Sequence, residues 1–318
     1  MGEYYNQWIE TKVPPLVRPS AARDYKTTFN AHILPRFRRV SLTALDHAEI
    51  ADFRNKLMAG WSIKTVKNII STFRSMYSDA QRDHTDLQGR QPFALKWQRQ
   101  IKERPDPFTS GERHKVLTWW KENDFFYFPW VYVLFHTGMR PSDLAGLHWS
   151  DVDLERRTLS INKSRTHHQD QPTKTAKSVR RIEVGEDIIR LVEILPARKL
   201  GIEHVFVNKE GRPINAKKWS EHNWAEPLRK LEIRHRKFYA TRHTFITEMV
   251  KAGRMIKAIG DYVGTSMTMI ENNYAGVLSM EPDREIFVKS SERESEMREI
   301  TEGKVVAGPG FEPGTSRL

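Results

Sequence analysis

Four separated residues, Arg140, Lys174, Arg242 and Tyr274, carry the chemistry that this sequence can do. Arg140 lies in His136-Thr137-Gly138-Met139-Arg140-Pro141-Ser142-Asp143, and Lys174 in Thr173-Lys174-Thr175. Arg242 lies in Tyr239-Ala240-Thr241-Arg242-His243-Thr244, and Tyr274 closes Asn272-Asn273-Tyr274. A phosphodiester attacked in line develops negative charge on its non-bridging oxygens. Two guanidinium forks, always protonated, can neutralise and orient that group. A lysine ammonium can protonate the leaving oxygen. A phenol, with an ordinary pKa near ~10, needs a base or a strongly cationic site before it attacks. Alone, each residue reads as an ordinary surface or helix-end side chain; the order and contexts of all four point to phosphoryl transfer. Lys177 competes with Lys174, and spacing does not choose between them. Asp143, three residues after Arg140, can support that arginine or cap the next helix, and support of the arginine is the reading favoured.

Other chemistries find less support. The 318 residues include no cysteine, which excludes disulfides, cysteine-ligated zinc and a thiol nucleophile within this chain. There is no Walker A lysine motif and no His-Glu-x-x-His motif. Gly264-Thr265-Ser266-Met267-Thr268 is not a serine-nucleophile elbow. His167-His168 reads as a basic loop feature, since no partner ligands stand nearby at helical spacing. No apolar run approaches the ~20 residues that span a bilayer, and the first residues are not a secretory signal. A formal charge of +12 and a pI near 9.7 favour a polyanionic partner, most simply nucleic acid. Arg36-Phe37-Arg38-Arg39 and Arg234-His235-Arg236-Lys237 concentrate that charge.

The first hundred residues read as helices. Ser20 caps one, which should stop before Pro35 because proline disfavours helix at Leu34. Asp46 and Glu49 have capping-box spacing ahead of Ile50, Phe53 and Leu57, with Gly60 as the stop. Ser62 caps the next helix. There Val66, Ile69, Ile70, Phe73, Met76, Tyr77 and Ala80 form the clearest amphipathic stripe in the chain. Residues 81–91 read as a polar loop. Thr109 and Glu112 give a second capping box, and residues 125–135 a buried helix ending near Gly138. Strands are expected at 158–161 and 179–184 around a basic segment, 162–178, with a short one at 205–207. From Lys217 the pattern is helical again, with stops at Gly253, Gly264 and Gly276. The fold class is mainly α with a small β-sheet, α+β. The organisation expected is a helical DNA-binding domain over 1–98, a linker over 99–107, a catalytic domain over 108–290, and a tail over 291–318 that is partly disordered.

These features resemble the tyrosine recombinases, the phage-integrase family, over roughly residues 4–290. Thr137-Gly138-Met139-Arg140-Pro141-Ser142-Asp143-Leu144 is similar to the family's first arginine box and Arg242-His243-Thr244-Phe245 to its second. Gly264-Thr265-Ser266 aligns with its Gly-His-Ser segment, and Tyr274 falls nine residues after Thr265, the family's spacing to its nucleophile. Lys174 matches the lysine of its β-hairpin. Ile33-Leu34-Pro35 and the helix from Thr65 resemble its SAM-like core-binding domain. The sequence departs at Tyr239, where the family usually has His, and at Thr265, where it usually has His or Trp. Tyr239 can hydrogen-bond the phosphate or relay a proton, and Thr265 can donate one hydrogen bond. His243 is expected to point elsewhere and be structural.

The resemblance implies a site-specific recombinase of a phage or other mobile element. It would cut one strand at a time through a 3′-phosphotyrosyl link at Tyr274, with no cofactor and no metal. Its partners would be double-stranded DNA at attachment sites, three further copies in a tetramer, and accessory DNA-bending or directionality proteins. It would be cytoplasmic and nucleoid-associated, with residues 281–297 packed on a neighbouring copy. With little room before the core-binding domain for an arm-binding domain, a short or truncated form is expected. The alternatives are a degenerate relative that binds DNA without cutting, motivated by Tyr239 and Thr265, and strand transfer of the replicon-resolution or topoisomerase type.

Overall fold

The stripe from Val66 to Ala80 becomes the spine of the N-terminal part of the protein: all seven of its apolar residues are buried on one face of a single long helix. The computed structural model describes residues 1–11, 13, 17, 19–98, 104–166, 168–172 and 179–278. These fall into two compact units, Met1–Ile101 and Lys102–Leu318. Lys174, Lys177, residues 99–103 of the expected linker, residues 281–297 and the expected tail at 291–318 lie outside the described residues.

In the first unit, α1 (Gly2–Thr11) and α2 (Pro19–Thr28) lead through a π-turn, Phe29–Ile33, into α3 (Leu34–Phe37). Helices α4 (His47–Met58) and α5 (Ile63–Asp83) follow. Phe73 of α5 sits at the centre, its ring 6.1 Å from Phe29, 5.1 Å from Phe37 and 5.1 Å from Phe93. Two caps form as expected: Asp46 Oδ1 accepts from the Glu49 amide at 2.8 Å, and Ser62 Oγ from the Thr65 amide at 3.2 Å. The Glu49 side chain instead pairs with Arg36, which also holds Asp52 at 2.7 Å.

Three expectations for this unit are corrected. Ser20 does not precede its helix, because α2 begins at Pro19, a residue suited to a first helical turn. The helix does not stop before Pro35. The π-turn bonds the Leu34 amide to the Phe29 carbonyl, and Pro35 falls in the first turn of α3, where its missing N–H leaves no gap. Residues 81–91 are not all loop. Helix α5 runs to Asp83 and a 3₁₀ turn, Thr85–Leu87, buries Leu87. Gln81 Nε2 donates to the Leu87 and Arg90 carbonyls at 3.0 and 2.8 Å and folds the polar segment back.

In the second unit, α6 (Ser110–Asn123) opens with the full Thr109/Glu112 capping box. Helix α7 (Phe128–Thr137) has nine buried residues among its ten, so its burial comes from all sides. Around it pack Trp120, Trp219, Trp224 and Phe238, with Trp219 and Phe238 rings 4.9 Å apart. After α8 (Pro141–Ala145) come β1 (Val152–Asp153), β2 (Thr158–Ile161), β3 (Lys163–Thr166), β4 (Gln169–Pro172) and β5 (Arg180–Glu183). Strands β1, β2 and β5 form an antiparallel sheet with Leu159 opposite Ile182. The basic segment expected between two strands carries a hairpin of its own, β3–β4, as a separate sheet. Residues 205–207 form no strand. Single bridges join His148 to His204 and Val207 to Pro213, and a proline cannot extend the ladder by donating.

Helices α9 (Glu186–Glu193), α10 (Pro196–Lys199), α11 (Ala216–Asn223) and α12 (Ala225–Lys230) continue the frame. Last come α13 (Ala240–Lys251), α14 (Ile256–Val263) and α15 (Met267–Leu278). Gly253 and Gly264 adopt positive φ, +68° and +70°, at the expected stops. Gly276 does not stop a helix: it lies inside α15, where a Cβ would come within 2.6 Å of an Arg104 guanidinium nitrogen. The missing side chain there serves close packing rather than a turn. The architecture is the expected one, mainly helical with small antiparallel sheets.

Phe73→Ala should cost the N-terminal unit about 3–5 kcal/mol, the usual loss for emptying a fully buried aromatic site. Urea unfolding followed by tryptophan fluorescence measures it. An unchanged midpoint would mean that Phe73 does not anchor this core.

Candidate active site

Two helix ends and one buried arginine define the site. Helix α7 ends at Gly138, in the left-handed conformation (φ +60°), with Phe245 packed where its Cβ would be. Two residues on, Arg140 takes an extended backbone ahead of α8, whose first residue is Pro141. Its guanidinium donates to the Gly264 carbonyl at 2.7 Å and pairs with Asp143 at 3.4 Å, so Asp143 supports the arginine. Arg140 stays partly open, with 30% of its side chain exposed.

Arg242 sits in the first turn of α13 and is only 2% exposed. One of its terminal nitrogens donates to both the Gly138 and the Val263 carbonyls, each at 2.7 Å. These carbonyls are left over where α7 and α14 end, so Arg242 joins two helix termini. Burial, with Arg140 close by, depresses its basicity, while Tyr239 and Asp143 oppose that effect.

A third arginine joins them. Arg180 of β5 is buried, donates through Nε to the Tyr262 carbonyl at 2.7 Å, and approaches Asp143 at 3.6 Å. Its guanidinium fills the space beside Gly264: a Cβ there would be 2.6 Å from a terminal nitrogen. Burial first, and then the charges of Arg242 and Arg140, lower its pKa to about 10 against the pull of Asp143. Arg140 and Arg180 thus both approach Asp143, and Arg242 feels its charge as well. Such an excess of positive charge favours an anion. Arg180 escaped the sequence reading although a signal existed. In a strand, alternation puts Arg180 on the same face as Ile182, which is buried, and a charge on an inward face is informative.

Tyr274 of α15 is 3% exposed and lies among Phe245, Ile246, Val250, Val263 and Ile270. Its hydroxyl meets His243 Nδ1 at 2.6 Å. The expectation that His243 points elsewhere is therefore corrected. Arg242 and His243 are successive residues, so they leave α13 in different directions. Arg242 turns to the helix ends, and His243 faces the helix that carries Tyr274. Burial, and then Arg242, push the His243 pKa down, which keeps the ring neutral. A neutral ring can accept the phenol proton at Nδ1 with its own proton on Nε2. Burial holds the Tyr274 pKa well above its ordinary value, with Arg242 pulling the other way. The resting hydroxyl is thus covered, neutral and hydrogen-bonded.

Tyr239 is 40% exposed just ahead of α13, and its ring lies 5.2 Å from that of His243, one turn along the same helix. Thr265 is half-buried after Gly264, its amide bonded to the Gly260 carbonyl at 2.8 Å. The structure therefore gathers Arg140, Arg242, Tyr239, Thr265 and Tyr274 into one region and adds Arg180 and His243. Lys174 and Lys177 lie outside the described residues. A separate cluster of His148, Glu203 and His204 has metal-ligand spacing.

In comparison with known proteins, residues 121–279 match the phage integrase family, and residues 1–58 the N-terminal SAM-like domain of phage integrase. The ICEBs1 integrase of Bacillus subtilis (strain 168) is 28% identical over 182 residues, covering 55% of this chain and 49% of that protein. A XerC-like tyrosine recombinase of Caldanaerobacter subterraneus subsp. tengcongensis is 25% identical over 168 residues, covering 44% of this chain and 43% of that protein. The chain thus spans about half the length of these curated relatives. Among solved structures, the Tn1549 transposon integrase in complex with transposon right end DNA has a TM-score of 0.72 at 19% identity, covering 94% of this chain and 98% of that one. A lambda integrase dimer bound to a COC′ core site has a TM-score of 0.66 at 14% identity, covering 84% and 96%. These likenesses establish the fold.

The depressed His243 pKa has a consequence for stability. The imidazole is neutral in the fold and protonates more readily in the unfolded chain. Its contribution is therefore complete above pH ~6.5 and is lost as pH falls through the lower folded value. His243→Gln should reduce the slope of unfolding free energy against pH in that window by up to about 1.4 kcal/mol per pH unit. Chemical unfolding at a series of pH values measures the slope, and equal slopes for the two proteins would refute the assignment.

Proposed function

This chain belongs to the phage integrase family, and we propose that it is a site-specific DNA recombinase of a phage or other mobile element with Tyr274 as its nucleophile. The observation that carries the reading is the convergence of Arg140 and Arg242 on the joint between Gly138 and Gly264, beside a buried tyrosine. A backbone phosphate of double-stranded DNA would take the exposed side of Arg140, with Arg242 and Arg180 deepening the positive potential behind it.

In the cleavage step the Tyr274 oxygen forms a bond to phosphorus as the bond to the 5′ oxygen breaks. The phenol proton passes to His243 Nδ1, which already accepts it in the resting hydrogen bond. The developing charge on the non-bridging oxygens is met by Arg140 and Arg242. Lys174 protonates the departing 5′ oxygen. Tyr239 and Thr265 would serve as further donors to the phosphate, and neither brings an imidazole; His243 supplies one to the tyrosine. The 5′ hydroxyl of a partner strand then attacks the phosphotyrosyl link and restores the phenol. Because the resting hydroxyl is covered, α15 must shift when DNA binds. The assembly is a tetramer on two duplexes, with accessory proteins setting direction. Among the described residues no helix is long and apolar enough to cross a membrane.

Nicked suicide substrates tiled across the DNA flanking this protein's own gene test the proposal. Wild-type protein should form an SDS-resistant complex at one site, and Tyr274→Phe should bind the same DNA and form none. Arg140→Ala or Arg242→Ala should slow cleavage by about 10²–10³-fold, as other lost charge-stabilising donors do. Equal covalent complex from the Phe variant would sink the nucleophile assignment. Specific binding without cleavage by wild type would favour a DNA binder in which Tyr239 and Thr265 have silenced the chemistry.

A further inference from the structure

Within the second unit, three segments meet at a cluster of imidazoles and carboxylates that the phosphate chemistry does not use. His148 precedes the 3₁₀ turn Trp149–Asp151, His204 bridges to it, and Asp170 lies on β4. Both histidines are buried, with ring centroids 4.4 Å apart. Asp170 Oδ2 lies 3.0 Å from His148 Nε2 and 2.8 Å from His204 Nε2. On its far side, His148 Nδ1 lies 3.0 Å from Glu203 Oε1. One ligand atom from each of His148, Glu203 and His204 falls within 4.8 Å of the others. Arg165 pairs with the other Asp170 oxygen at 2.8 Å and approaches His204 Nε2 at 3.4 Å.

Two buried ring nitrogens from separate segments converge on one Asp170 oxygen, while Arg165 holds the other. A dication between the rings and Asp170 would be coordinated by all three. Tetrahedral zinc with ligands at its usual distances separates neighbouring donor atoms by about 3.3 Å, a few tenths more than the spacings seen here. Glu203 would then accept the remaining N–H of His148, the common arrangement behind a zinc-bound histidine.

We propose that His148, His204 and Asp170 form a binding site for a transition-metal dication, with Zn²⁺ as the type, which fastens the β3–β4 hairpin to the body of the second unit. The site is structural and independent of the recombinase reading. Strand β4 ends two residues before Lys174, so the metal would hold the hairpin from which that segment leaves.

Chelator-treated full chain, titrated with Zn²⁺ by calorimetry and assayed for metal content, should take up one ion and melt at a higher temperature in its presence. Co²⁺ should give the visible bands of a four-coordinate nitrogen and oxygen site. A His148→Ala/His204→Ala variant should bind at least tenfold more weakly. Asp170→Asn, which preserves volume, should do the same while keeping the wild-type circular dichroism spectrum, and it decides the matter if the double variant does not fold. No zinc uptake by wild type would overturn the proposal. So would equal uptake by Asp170→Asn.

Discussion

The buried guanidinium of Arg242 closes two helix ends at once, and the geometry of the site hangs on that closure. The carbonyls of Gly138 and Val263 sit where α7 and α14 run out of intrahelical partners. Buried without donors, each would carry a desolvation cost of about 1–3 kcal/mol. Arg242 satisfies both and so fixes the distance between Gly138 and Gly264. Arg140 begins two residues after the first glycine and donates to the carbonyl of the second. The same residue that contributes charge to the site also sets the frame in which the other arginine is held.

Charge and burial are balanced unevenly around this joint. Arg140 and Arg180 both approach Asp143, whose charge Arg242 also feels. Burial weakens the basicity of Arg180 and Arg242, because a low-dielectric setting penalises the charged form. An anion placed at Arg140 reverses that penalty. The same burial keeps the Tyr274 phenol protonated and His243 neutral. In the absence of an anion, Tyr274 is therefore held protonated by the environment that makes the arginines receptive. In the proposed reaction, electrostatics would link the binding of a phosphate to the readiness of the tyrosine.

The β3–β4 hairpin is held differently. Its strands bury no residue fully, unlike β2; the ion pair of Lys163 with Asp151 ties it to the preceding turn, while Arg165 and Asp170 pair across the hairpin itself. The two histidines add to this polar attachment. A sheet lacking an apolar face depends on such partners for its position. The N-terminal unit is the opposite case, an aromatic core around Phe73 in which polar groups mainly cap helices.

Much of the frame was legible from residue order. The Val66–Ala80 stripe, the Thr109 capping box, the buried helix before Gly138 and the positive-φ stops at Gly253 and Gly264 rest on local rules of periodicity, capping and glycine freedom. So does the pairing of Arg140 with Asp143, since the residue ahead of a helix lies beside that helix's first turn. What failed locally failed for tertiary reasons. Pro35 is accommodated by a π-turn, Gly276 makes room for Arg104, and the segment after Asp83 is pulled back by Gln81. The chemistry divides in the same way. Residue types taken with their order and contexts suggested one reaction for Arg140, Lys174, Arg242 and Tyr274, because only certain groups can bind a phosphate or attack it. That His243 reaches Tyr274, and that Arg180 lies under Gly264, depends on how α15 packs on α13 and β5 on α14. Side chains from separate elements meet only through that packing, and no spacing along the chain encodes it directly.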